Sequence, residues 1–185
     1  MRLLHALPNL LTGSRLLLAL PLALAILDGH FYTALLIAAI AGLTDALDGL
    51  LARRLDARSR LGAALDPLAD KTLIFAVFAS LAAVGMMPAW VAAVVILRDV
   101  VIVSGALAYQ LLIGNLEFSP TALSKANMAV QVLFLVTVLG NAVGGWLPAP
   151  ALVAFTTVVL VVAIASGLQY VVLWSRKAIA ARHEA

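Results

Sequence analysis

"GLTDALDGLLARRLDARSRLGAALDPLADK", residues 42–71, sets five aspartates and four arginines into a chain whose residues are 64% hydrophobic and only 11% charged. Soluble domains carry about 45–50% apolar residues. The composition is therefore that of an integral membrane protein, in which an ionised side chain persists only where a specific partner offsets its desolvation. Outward from this stretch the chain is apolar in both directions. A hydrocarbon core about 30 Å thick takes about 20 helical residues, and six segments meet that requirement, at 7–27, 31–51, 65–86, 90–112, 123–143 and 151–174. Gly-, Pro- or Asn-bearing joints separate several of them, "DGH" at 28–30, "GMMP" at 85–88, "GNLEFSP" at 114–120 and "GNAVGGWLPAP" at 140–150. The expectation is an all-α integral membrane protein, a bundle of six transmembrane helices forming one domain over 1–185. The opening "MRLLHALPNLL" resembles a signal peptide, but its apolar run is long and no small-residue cleavage site follows, so it is read as a retained helix.

Charge placement gives an orientation. Arg2 precedes the first segment; Arg53, Arg54, Arg58 and Arg60 lie between the second and third; Arg176, Lys177 and Arg182 follow the sixth. The joints at 28–30, 85–88 and 140–150 contain no Lys or Arg. Basic residues favour the cytoplasmic side, so both termini and a loop over 52–64 are expected there. Cysteine is absent and His5, His30 and His183 are scattered, which excludes a disulfide framework, a thiolate metal site and a histidine cluster. The net charge of +3 sits beside apolar spans, where head groups and topology account for it, and no nucleic-acid partner is expected.

Within the quoted stretch, Asp45 and Asp48 are three apart and Asp66 and Asp70 four apart, spacings that put each pair on one helix face. Gly49 and Ala52 continue the first stripe, and their small size lets a bulky ligand approach the helix. A single aspartate of this kind could serve an ion pair with Arg53, Lys71 or Arg98. Four at these spacings call for divalent cations, and oxygen ligands without Cys or His select hard ions such as Mg²⁺ or Mn²⁺.

The pattern Asp45-x₂-Asp48-Gly49-x₂-Ala52-Arg53-x₈-Gly62-x₃-Asp66-x₃-Asp70 resembles the signature of the CDP-alcohol phosphatidyltransferases at every position. "PNLLTGSR" at 8–15 is similar to that family's opening helix, and six helices match its architecture. The resemblance implies an enzyme of phospholipid biosynthesis that transfers a phosphatidyl group from CDP-diacylglycerol to an alcohol and releases CMP. It implies two bound Mg²⁺ or Mn²⁺ ions held by Asp45, Asp48, Asp66 and Asp70, with Asp70 also the general base. By the same resemblance, Asn9, Arg15, Asp48, Gly49, Ala52, Arg53, Ser59 and Gly62 form the CDP pocket; for Arg15 a side chain snorkelling to the interface stands equally open. A homodimer in contact with membrane lipids and an active site on the cytoplasmic side are further implications.

The acceptor is read from the remaining intramembrane charges. Arg98 in "LRDV" and Lys125 in "SPTALSKANMAVQ" are candidate acceptor-phosphate ligands, although an ion pair between Arg98 and Asp99 or a motif aspartate is an alternative. Glycerophosphate-using members show Gly-Lys-x-Lys-Thr at the start of the fifth helix, where this chain has Ser124-Lys125-Ala126-Asn127-Met128. That is more similar to the Ser-Lys-x-Asn-Thr of eukaryotic-type cardiolipin synthases, with Met128 departing from both. A neutral Asn127 removes one cation, which suits a singly charged phosphodiester such as phosphatidylglycerol better than the monoester glycerol 3-phosphate. The expected acceptor is therefore phosphatidylglycerol, giving cardiolipin. The alternative is phosphatidylglycerophosphate synthesis from glycerol 3-phosphate. A reading from another class, a divalent-cation channel or transporter, accounts for intramembrane carboxylates but gives no reason for Gly49, Ala52, Arg53 and Gly62 in this register.

Overall fold

A computed structural model describes the backbone of residues 17–55, 60–112 and 121–183, and the side chains of 17–44, 71–111, 121–177 and 179. The described residues are helical apart from short joints: α1 Leu17–Leu27, α2 Phe31–Leu55, α3 Arg60–Ala83, α4 Ala89–Leu112, α5 Ala122–Gly144 and α6 Ala149–His183. Among the described residues, three stretches are long and apolar enough to cross a membrane: Ala89–Leu111, Ala122–Gly144 and Ala149–Lys177. Apolar side chains fill the outward faces as well as the core, with Leu20, Leu43, Leu97, Leu133 and Leu168 among the exposed residues. A helix apolar all round has lipid for its solvent, so this is a membrane protein.

The helices outrun the apolar segments from which they were expected. α2 continues through "LARR" to Leu55 and α3 begins at Arg60, so only 56–59 separates them, where a loop over 52–64 was expected. Arg, Ala and Leu are strong helix formers, and the backbone stays helical after hydropathy falls. Gly62 consequently lies inside the first turn of α3 rather than ahead of it. α6 similarly runs nine residues past Trp174, to His183.

The helices fall into two compact units. The first comprises 1–86 and 136–146, the second 87–135 and 147–185. In the first, α1 and α3 end in the same hydrogen-bonded turn. The N–H of His30 donates to the Ala25 carbonyl at 2.8 Å and that of Gly29 to Ile26 at 3.1 Å; Met86 donates to Leu81 at 2.9 Å and Gly85 to Ala82 at 3.1 Å. This closure needs a left-handed residue after the helix, and Gly29 and Gly85 supply it with φ of 74° and 76°. The core of this unit contains Leu22 and Ile26 of α1, Ala34 and Ala41 of α2, and Ile74, Val77, Phe78 and Leu81 of α3. Polar side chains on these helices bond to their own backbone, Thr44 to the Ile40 carbonyl at 2.7 Å and Ser80 to that of Ala76 at 2.7 Å. Hydroxyls in a membrane helix are commonly satisfied in this way.

In the second unit α4 packs along α6. Each helix buries a stripe at intervals of three and four: Val91, Val95, Arg98, Asp99 and Ile102 on α4, and Val159, Ala163, Ser166 and Tyr170 on α6. The N-terminal part of α5 buries Asn127, Gln131, Phe134 and Leu135, and Phe134 meets Phe155 edge-on at 5.4 Å. Close approach depends on two glycines. A methyl group at Gly105 would lie 3.1 Å from the Trp174 ring, and one at Gly167 would lie 3.3 Å from Arg98 Cγ.

Candidate active site

All eight positions of the acidic signature stand on helical backbone, Asp45, Asp48, Gly49, Ala52 and Arg53 on α2, and Gly62, Asp66 and Asp70 on α3. The i, i+3 and i, i+4 spacings therefore act as helical spacings, and the two positions of each pair fall on one helix face. Their side chains lie outside the described residues, as do Asn9, Arg15 and Ser59 altogether. No group of three or more His, Cys, Asp or Glu occurs among the described side chains. The donor set of the signature, four carboxylates on two consecutive helices without nitrogen or sulfur, fits hard divalent cations.

The second unit holds a polar cluster built around Arg98, a residue only 6% exposed. Its Nη1 pairs with Asp99 Oδ1 at 2.5 Å, its Nη2 donates to Ser124 Oγ at 2.9 Å and also to Ser166 Oγ, and its Cζ stands 6.0 Å from the Tyr170 ring centroid. Three helices thus share one guanidinium. The ion pair with Asp99, one of the two readings of Arg98, is present, and the guanidinium also reaches the residue preceding Lys125. Lys125 itself is exposed in the first turn of α5.

That first turn is held from α6. Thr121 caps α5 by accepting the Ser124 N–H at 3.1 Å, and the cap hydroxyl donates to Gln169 Oε1 at 2.9 Å. The Thr121 N–H donates to the Tyr170 hydroxyl at 3.3 Å. Below Ser124 on the same face come Asn127 and Gln131, 1% and 2% exposed. Both polar atoms of the Asn127 amide, Gln131 Nε2 and Arg98 Nε lack hydrogen-bond partners among the described residues. Each such buried group costs about 1–3 kcal/mol.

Sequence reasoning reached Arg98, Lys125 and Asn127 but missed Ser124, Ser166, Tyr170 and Gln131 as members of one cluster. The available signal was polar residues spaced three or four apart in apolar helices, Gln131 in "MAVQVLFL" and Ser166 with Tyr170 in "AIASGLQYVV". Hydroxyls alone are too common in membrane helices to mark a site.

These features define a helical membrane protein with four aspartates on two consecutive helices and a buried guanidinium cluster. Residues 5–177 match the family model for CDP-alcohol phosphatidyltransferase, and the chain belongs to that family. It is 31% identical over 180 residues to a Drosophila melanogaster protein described as "Probable cardiolipin synthase (CMP-forming)", covering 89% of this chain and 56% of that one. It is 37% identical over 144 residues to the Homo sapiens "Cardiolipin synthase (CMP-forming)", covering 69% and 48%. With the Mycobacterium tuberculosis (strain ATCC 25618 / H37Rv) "Probable phosphatidylglycerophosphate synthase" it shares 38% over 99 residues, covering 50% and 47%. The chain spans about half the length of these curated relatives.

Proposed function

We propose that this chain transfers the phosphatidyl group of CDP-diacylglycerol to a glycerol-bearing alcohol, with phosphatidylglycerol the first choice, yielding cardiolipin and CMP. The observation that carries the reading is the eight-position signature from Asp45 to Asp70, in register on two consecutive helices inside the region that matches the family. In the reaction, the acceptor hydroxyl oxygen attacks the phosphorus that bears diacylglycerol. A new P–O bond forms, the bond to the bridging pyrophosphate oxygen breaks, and its electron pair leaves with CMP. The hydroxyl proton passes to Asp70 as general base.

Asp45, Asp48, Asp66 and Asp70 would hold two Mg²⁺ or Mn²⁺ ions, which when bound neutralise the pyrophosphate and stabilise the leaving oxygen. Gly49 and Ala52 leave room for the nucleotide. Asn9, Arg15, Asp48, Arg53, Ser59 and Gly62 complete the CDP pocket. Arg98 and Lys125 receive the acceptor phosphate. The neutral Asn127 keeps the positive charge there suited to a diester. That the cardiolipin synthase relatives align over more of the chain than the mycobacterial one supports this choice. Phosphatidylglycerophosphate synthesis from glycerol 3-phosphate is the second reading, favoured by that mycobacterial relative; Met128 stands where both patterns carry threonine and favours neither. The proposal includes six spans in a single domain over 1–185, both termini and the active site on the cytoplasmic side, and a homodimer.

Purified protein in lipid nanodiscs with CDP-diacylglycerol and Mg²⁺ tests the reading when offered phosphatidylglycerol or glycerol 3-phosphate separately. Cardiolipin formation with stoichiometric CMP is the expected result. Efficient phosphatidylglycerophosphate formation with phosphatidylglycerol untouched selects the second reading, and no CMP release with either acceptor refutes both.

A further inference from the structure

Asn127 and Gln131 stand one helical turn apart on α5, at core positions of a stripe that continues with the fully buried Phe134. Leucine would fill such positions with no polar atom to satisfy, and a helix in lipid has no bulk water to supply a missing partner. Among the described residues, Asn127 Nδ2 and Oδ1, Gln131 Nε2 and Arg98 Nε find no hydrogen-bond partner. This set contains the amide donors of Asn127 and Gln131 and one N–H of the cationic Arg98 guanidinium, together with an amide oxygen. An anion would use donors only and would face the Asn127 oxygen unfavourably; a cation would find a single carbonyl-type ligand. A hydroxyl group both donates and accepts, and it matches the set.

The position is also informative. Ser124, three residues before Asn127 on the same face, accepts a hydrogen bond from Arg98 at 2.9 Å, and Lys125 follows it. Cationic groups thus lie at the N-terminal end of the stripe, with neutral amides behind them. A ligand with a phosphate followed by a hydroxylated carbon chain has the same order.

We infer that Asn127 and Gln131 form a hydroxyl-reading subsite that binds the secondary hydroxyl of a glycerol moiety and determines acceptor specificity. The inference rests on the transfer reaction proposed above. The glycerol group belongs equally to a lipid, phosphatidylglycerol, and to free glycerol 3-phosphate, so both are used in the test.

The experiment compares paired acceptors that differ by that hydroxyl alone: phosphatidylglycerol against phosphatidyl-1,3-propanediol, and glycerol 3-phosphate against 3-hydroxypropyl phosphate. CMP release is followed in nanodiscs for wild type, Gln131→Leu, Gln131→Met and Asn127→Leu. For the acceptor that is used, wild type should favour the glycerol compound by at least about tenfold in kcat/KM, because an amide site left without its hydroxyl rejects the deoxy analogue. In the leucine and methionine variants that ratio should fall toward one, chiefly through loss of the glycerol compound. Thermal unfolding without acceptor supplies an independent readout. The apolar variants should melt at or above the wild-type temperature, since an unpartnered buried amide has been removed.

A wild-type enzyme indifferent to the hydroxyl, or a preference that survives in all the variants, overturns the inference while leaving the transfer reaction in place. Lower melting temperatures with equal losses for both members of a pair also overturn it, by assigning the amides to internal packing. A wild-type protein that releases CMP with no glycerol acceptor overturns the transfer reaction and the inference together.

Discussion

Arg98 concentrates several interactions that would otherwise be costly in a lipid-embedded helix. Its guanidinium meets Asp99, Ser124 and Ser166, and its side chain passes over Gly167. Breaking a buried ion pair by deleting one partner typically costs about 3–5 kcal/mol, whereas replacing both partners by apolar residues is often neutral. Arg98→Met should therefore lower the unfolding temperature substantially, and Arg98→Met with Asp99→Leu should recover most of the loss in a melting experiment. Neither variant should regain acceptor use, because the cation is absent from both. The aspartates behave differently. Replacing Asp45, Asp48, Asp66 or Asp70 singly by Asn keeps size while removing charge, and CMP release should fall at least about a hundredfold, as expected for loss of a major catalytic group. Near-normal turnover in any folded variant removes that residue from an essential role.

At the scale of helices, the small residues sort into different roles. Gly42 has nothing within 4 Å of where a methyl group would sit, so Gly42→Ala on α2 should stabilise by a few tenths to about 1 kcal/mol through reduced chain entropy. Gly167→Ala on α6 meets Arg98 Cγ at 3.3 Å, and the arginine head is fastened by three partners and cannot easily yield. The same exchange there should give no gain or a net loss, which paired thermal melts would read directly. Gly49 and Ala52 form a further class if their α2 stripe faces the nucleotide. Gly49→Leu or Ala52→Leu should then insert and purify normally but fail to bind CDP-diacylglycerol. Donor binding as tight as wild type would turn that stripe away from the donor.

For the whole molecule, the proposed sidedness has a direct test because the chain contains no cysteine. His30→Cys and Ala57→Cys occupy joints that differ in their basic residues, with four arginines around the second and none in the first. A membrane-impermeant maleimide applied to intact cells should label His30→Cys, and Ala57→Cys only after permeabilisation. The reverse pattern would invert the topology. Chelation of divalent ions should abolish CMP release, and Mg²⁺ or Mn²⁺ should restore it, as the all-oxygen donor set requires.

Membrane character, the helix joints at 28–30, 85–88 and 140–150 to within a few residues and the acidic signature were legible in the sequence alone, because each depends on local chemistry. An apolar run long enough for a bilayer, a glycine where a helix must close, and carboxylates three and four apart carry their meaning without knowledge of the neighbouring helices. The ends of α2 and α3 were less legible, since hydropathy falls at Arg53 while helix propensity does not. The cluster of Arg98, Ser124, Ser166 and Tyr170 could not be read at all as a unit. Ser124, Ser166 and Tyr170 lie 26 to 72 residues beyond Arg98 in sequence, and only the packing of three helices decides which serine faces the guanidinium. The same holds for Asn127 and Gln131: their spacing is visible in one dimension, but their lack of partners is a property of everything that surrounds them.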